Sequence, residues 1–133
     1  MDLNRKTKVL IIDDEELICW SLKKSFEKQE HYAVSCVYSG SDAIDCIARN
    51  VYDVVVTDLK LPDVSGVELL EKISLMKGDT PVIVMSAYLS DPAMHDVGKY
   101  DVFRCVNKPF EISDIVTGVR DAVESRIRKK GQA

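Results

Sequence analysis

Two hydrophobic periods alternate along the chain. Five short runs, "KVLIID" (8–13), "YAVSCV" (32–37), "DVVVTD" (53–58), "PVIVMS" (81–86) and "VFRCV" (102–106), are rich in β-branched and aromatic residues. They read as strands. Between them, amphipathic stretches predict helices over about 15–29, 40–49, 65–77 and 90–99, with a last one over 111–129. The last is the clearest: Ile112, Ile115, Val116, Val119, Val123 and Ile127 recur at helical spacing, with Ser113 and Asp114 near its start. Strands one, three and four are almost continuously apolar, as central parallel strands covered on both faces must be. Five strand–helix units predict an α/β fold, a doubly wound five-stranded parallel sheet with right-handed crossovers. Such sheets bind ligands beyond the carboxyl ends of their strands.

Length and composition narrow the picture. The 133 residues are one domain's worth, taken as a single unit over 1–133. With 46% hydrophobic and 30% charged residues, and no apolar run near the roughly 18 residues of a membrane span, a membrane protein is excluded. A net charge of -4 provides no basic field for nucleic acid, so direct nucleic-acid binding is not expected. The opening "MDLNRKTK" is followed by only four apolar residues before Asp13 and Asp14, which is no secretory signal, and the expected location is the cytoplasm. Cys19, Cys36, Cys46 and Cys105 have no metal-ligand spacing and read as buried, reduced thiols.

The candidate chemistry lies at the strand tips. Asp13 and Asp14 end strand one, Asp58 ends strand three, Ser86 ends strand four, and Lys108 follows strand five. Each alone has an ordinary explanation, as a helix cap or a solvated loop residue. Together they crowd three carboxylates onto one edge, where each raises the others' pKa unless a cation sits among them. A hard divalent cation such as Mg²⁺ suits that oxygen set.

Over essentially its whole length the chain resembles the receiver domains of two-component response regulators, of the chemotaxis-regulator type. The resemblance is carried by "VLIIDDEE", "DVVVTDLKLPDVSG", "VIVMSA" and "NKPF". It implies a flavodoxin-like sheet of strand order 2-1-3-4-5. It implies that Asp58 accepts a phosphoryl group from a sensor histidine kinase or phosphotransfer protein. Asp14 and Asp58 would bind Mg²⁺ with the backbone carbonyl of Lys60, Asp13 acting through coordinated water. Ser86, Ala87 and Lys108 would hold the phosphoryl oxygens and act as the switch. The resemblance also implies a cis Lys108–Pro109 bond, although the residues themselves fit a trans turn equally. Output would pass through the 90–99 helix, strand five and the last helix, a surface that also offers a homodimer contact. The chain is then a phosphoacceptor switch in a phosphorelay and not an enzyme, with at most slow autodephosphorylation.

Three departures from that pattern bear on mechanism. Cys105 stands where the family carries a switch aromatic, with Phe103 and Tyr88 as nearby substitutes. Pro92 and Gly98 weaken the 90–99 helix. Asp101 and Val102 replace the usual Gly-Ala and predict a different turn before strand five. An alternative class is a phosphatase or dehalogenase with an aspartate nucleophile; its DxD pattern is not met, because Lys60 follows Asp58 by two. His31 and His95 read as surface residues, Trp20 as packing at the core edge, and Arg126 as a cation complementing the last helix's dipole.

Overall fold

The two periods build elements in the order β1 (Thr7–Ile12), α1 (Glu16–Glu27), β2 (Tyr32–Val37), α2 (Gly40–Arg49), β3 (Val54–Asp58), α3 (Gly66–Met76), β4 (Val82–Ser86), β5 (Arg104–Asn107) and α4 (Ile112–Gly131). This is a computed structural model that describes residues 5–76, 78–86 and 97–131. Most of the helix expected over 90–99 lies outside the described residues, as do Ala87, Tyr88, Pro92 and His95. The strands form one parallel sheet of order β2-β1-β3-β4-β5, the doubly wound flavodoxin-like arrangement.

The period of two in the strands sorts their side chains between two cores. Val9 and Ile11 of β1, with Val54, Val56, Ile83 and Met85, meet Cys19, Leu22 and Phe26 of α1 and Ile115, Val119 and Ala122 of α4. Leu10 and Ile12, with Val55, Val82 and Val84, meet Ala43 and Ile47 of α2 and Leu69, Leu70 and Ile73 of α3. Both faces being covered, the apolar runs of the central strands are satisfied, while the edge strands β2 and β5 stay partly exposed. Among the described residues no helix is long and apolar enough to cross a membrane.

Several expectations need correction. β3 starts at Val54 because the Asp53 carboxylate instead accepts from the Lys8 amide at 2.8 Å and from Arg5 at 2.8 Å. β5 starts at Arg104, after a tight turn in which Val102 N–H donates to the Tyr100 carbonyl at 2.9 Å. Trp20 is not packed at the core edge: it is 60% exposed and Leu17 is 74% exposed. The inward stripe of α1 runs through Cys19, Leu22 and Phe26, which turns positions 17 and 20 outward. Of the cysteines only Cys19 is buried; Cys36 and Cys46 are half-buried and Cys105, on an edge strand, is exposed, all four as free thiols. Phe103 packs into the α1/α4 core. Cys105 is in register with Val84 of the opposite core, so Phe103 does not replace the missing aromatic on that side. Arg126 does not simply complement the dipole of α4; it pairs with Asp53 at 3.9 Å and Asp79 at 3.6 Å.

Candidate phosphoryl and metal site

Parallel strands of similar length end together, and four of these ends carry polar groups. Asp13 follows β1 directly and is fully buried, Asp58 closes β3, Ser86 closes β4, and both of these are nearly buried. Ser86 is in register with Asn107, so Lys108 leaves β5 beside it, its N–H donating to the Ser86 carbonyl at 2.6 Å. The Lys108–Pro109 bond is cis.

From there the Lys108 ammonium reaches across the edge. Its Nζ lies 2.8 Å from Asp58 Oδ2, 3.1 Å from Asp13 Oδ2 and 3.4 Å from Glu15 Oε1. The second oxygens are also held: Asp58 Oδ1 accepts from the Lys60 N–H at 3.0 Å and Asp13 Oδ1 from the Glu15 N–H at 2.9 Å. Burial works against the Lys108 charge, but the bonds to Asp58 and Asp13 outweigh it and hold the ammonium above its ordinary pKa. Burial pushes the Asp13 carboxyl up, against the lowering by the Glu15 N–H and by Lys108. Asp13 is therefore a carboxylate short of positive charge.

Asp13, Asp14 and Asp58 each offer an oxygen within 4.8 Å of the others. Three carboxylates and one ammonium leave a formal excess of two negative charges at one spot. An all-oxygen set of this kind, with exposed Asp14 open to water, fits Mg²⁺, which keeps several waters and takes one or two carboxylates.

The loop after β3 is built to hold Asp58 in place. Leu59 is buried, and Gly66 sits where a Cβ would come within 2.5 Å of the Leu59 carbonyl oxygen, so only glycine lets the chain fold back so closely. Asp63 anchors the far side of the loop, accepting from Gly40 N–H at 2.8 Å and Ser41 N–H at 2.9 Å at the start of α2. Those amides hold its carboxyl below the ordinary range.

Asp13, Asp14, Asp58, Lys60, Ser86 and Lys108, singled out from the sequence, thus gather at one edge. Ala87 lies outside the described residues, and Cys105 sits on β5 without taking part in these bonds. Sequence reasoning missed Glu15, the third carboxylate on Lys108, and Asp63. The run "DDEE" and the turn-forming "PD" of "LPDVSG" were the available signals.

Comparison with known proteins agrees with this geometry. The response regulator receiver domain family matches residues 9–120. The uncharacterized transcriptional regulatory protein YkoG of Bacillus subtilis is 35% identical over 121 residues, covering 89% of this chain and 51% of YkoG. The chain thus spans about half the length of that relative. A CheY-like receiver domain protein of Methanospirillum hungatei shares the fold, with a TM-score of 0.87 at 23% identity over 93% of this chain and 98% of its own. The response regulator TrrA of Thermotoga maritima, solved with Mg²⁺ and beryllofluoride, has a TM-score of 0.76 at 26% identity, covering 87% and 98%. With the acidic edge, the sheet order and the family match in agreement, the chain belongs to the response regulator receiver domains, the signalling switches of two-component systems.

Proposed function

We propose that Asp58 accepts a phosphoryl group from a sensor histidine kinase or phosphotransfer protein, within a receiver unit that spans the chain. The observation that carries this reading is the Asp58 carboxylate, 2.8 Å from the Lys108 ammonium and flanked by Asp13 and Asp14. An Asp58 oxygen attacks phosphorus as the bond from phosphorus to the donor imidazole nitrogen breaks, giving an acyl phosphate. Asp13, Asp14, Asp58 and the Lys60 carbonyl would hold Mg²⁺, which would supply positive charge between the two anions. Lys108 transfers its hydrogen bond from Asp58 to a phosphoryl oxygen, and the Ser86 hydroxyl donates to another.

Because Lys108 and Ser86 feel the phosphoryl group and are joined through their backbones, we infer that the signal leaves through β5 and α4. The donor approaches from the other side. A groove of about 580 Å³ opens beside Lys108 and Glu15, walled by Leu17, Ile18, Phe110 and Ile112. Its apolar walls and the outward Leu17 suit a helix of the phosphodonor protein.

Incubation with acetyl phosphate and Mg²⁺, followed by intact-mass measurement, tests the reading. The expected result is one phosphoryl adduct, lost in Asp58→Asn and slow to hydrolyse. Rapid turnover would instead indicate a hydrolase, and no adduct a partner-binding module.

A further inference from the structure

Cys19 and Cys36 are far apart in sequence and show no motif, yet the fold brings them to one seam between α1 and β2. Cys19 lies on the inward stripe of α1, and its Sγ donates to the Asp13 carbonyl at 3.4 Å. Cys36 lies on the edge strand β2, in register with Ile11, and its Sγ donates to the Cys19 carbonyl at 3.6 Å. Cys19 belongs to the α1/α4 core and Cys36 packs against it. The two differ in access: Cys19 is buried, Cys36 only half so.

We propose that Cys19 and Cys36 form a peroxide-oxidised site, Cys36 reacting first and Cys19 closing a disulfide with it. A half-buried sulfur on an edge strand can meet a small oxidant, while a buried one beside it is protected until its neighbour reacts.

The steps balance. The Cys36 sulfur attacks one peroxide oxygen, the O–O bond breaks, and hydroxide leaves and takes up the thiol proton as water, giving a sulfenic acid. The Cys19 sulfur then attacks the Cys36 sulfur, the S–S bond forms, and the sulfenic oxygen leaves as a second water with the Cys19 proton. Two thiols are oxidised to one disulfide while peroxide is reduced to two waters. The bond staples α1 to the edge strand and takes the Cys19 hydrogen from the Asp13 carbonyl.

The test is treatment of the purified chain with hydrogen peroxide, then intact-mass measurement and digestion without reductant. The expected product has lost two hydrogens, links the Cys19 and Cys36 peptides, and returns to the starting mass with dithiothreitol. Cys36→Ser should lose the link, whereas Cys105→Ser should keep it. Because Cys19→Ser changes a core position, the Cys36 variant carries the decision, checked by an unchanged circular dichroism spectrum. Cys36 found as sulfinic acid with Cys19 still a free thiol would overturn the proposal, as would disulfides formed only between chains through Cys105.

Discussion

At the amino-terminal end of the sheet, Asp53 accepts from Arg5 and the Lys8 amide and pairs with Arg126, which also reaches Asp79. Two arginines face two carboxylates. At the carboxyl-terminal end, the ammonium of Lys108 faces Asp13, Asp58 and Glu15, with Asp14 alongside. Both ends hold a carboxylate beside a cation, half-buried Asp53 at one and buried Asp58 at the other, yet only the second has anions in excess. Charge balance, and not position at a strand end alone, separates a tie that fastens the fold from the edge proposed to take a cation and a phosphoryl group.

The contrast predicts opposite signs for removing a carboxylate at the two ends. Asp53→Ala removes the acceptor of Arg5 and of the Lys8 amide, and takes one of two carboxylates from Arg126, whose Nε already has no hydrogen-bond partner. It should cost about 3 kcal/mol in urea unfolding and leave adduct formation at Asp58 intact. A loss under about 1 kcal/mol would place Asp53 among solvent-screened surface pairs and erase the contrast.

Next in size is the response to metal. Mg²⁺ at about 100 times its dissociation constant should stabilise the protein by about 2.7 kcal/mol. Asp53→Ala should keep that gain and Asp58→Asn should lose it; an equal gain in all three would move the metal away from this edge.

Asp13→Asn, measured without Mg²⁺, should stabilise by about 1 kcal/mol, since Lys108 keeps Asp58 as partner. The folded-state pKa of Asp13 is raised, so its contribution is most favourable below the ordinary 3.8 and is lost as pH rises through the folded value. The advantage of the variant should therefore shrink on acidification from neutral pH. An advantage that grew with acid would reverse the assigned direction.

The smallest effect falls on α1. Replacing Leu17 and Trp20 by Ser should change stability by within about 0.5 kcal/mol, both being exposed. Transfer from a protein donor should slow, while phosphorylation by acetyl phosphate stays the same. If both reactions slowed alike, the groove would act on the site itself and not on docking.

Most of the fold and of the candidate site is legible in the sequence, for particular reasons. Alternate residues of "KVLII" must face opposite ways, so Val9 and Ile11 go to one core and Leu10 and Ile12 to the other. Polar residues that end apolar runs can only sit at tips, which placed Asp13, Asp58 and Ser86 together. Element ends were less legible. Asp53 reads as strand by pattern, but its carboxylate caps the sheet by bonding the Lys8 amide, a contact 45 residues away. Trp20 was misplaced because hydrophobicity alone does not say which flank of a helix stripe meets the sheet.

What the sequence by itself determined is therefore periodic and local: the element types, the two buried faces, and the polar groups at the strand tips. Partnership was decided only by the tertiary structure. Lys108 meets Asp13 across 95 residues, Asp63 caps α2 from the loop after β3, and Cys36 reaches Cys19 across the seam between α1 and β2. The physical reason is that a side-chain bond of about 3 Å depends on strand register and on how each crossover returns to the sheet. No repeating pattern along the chain encodes either.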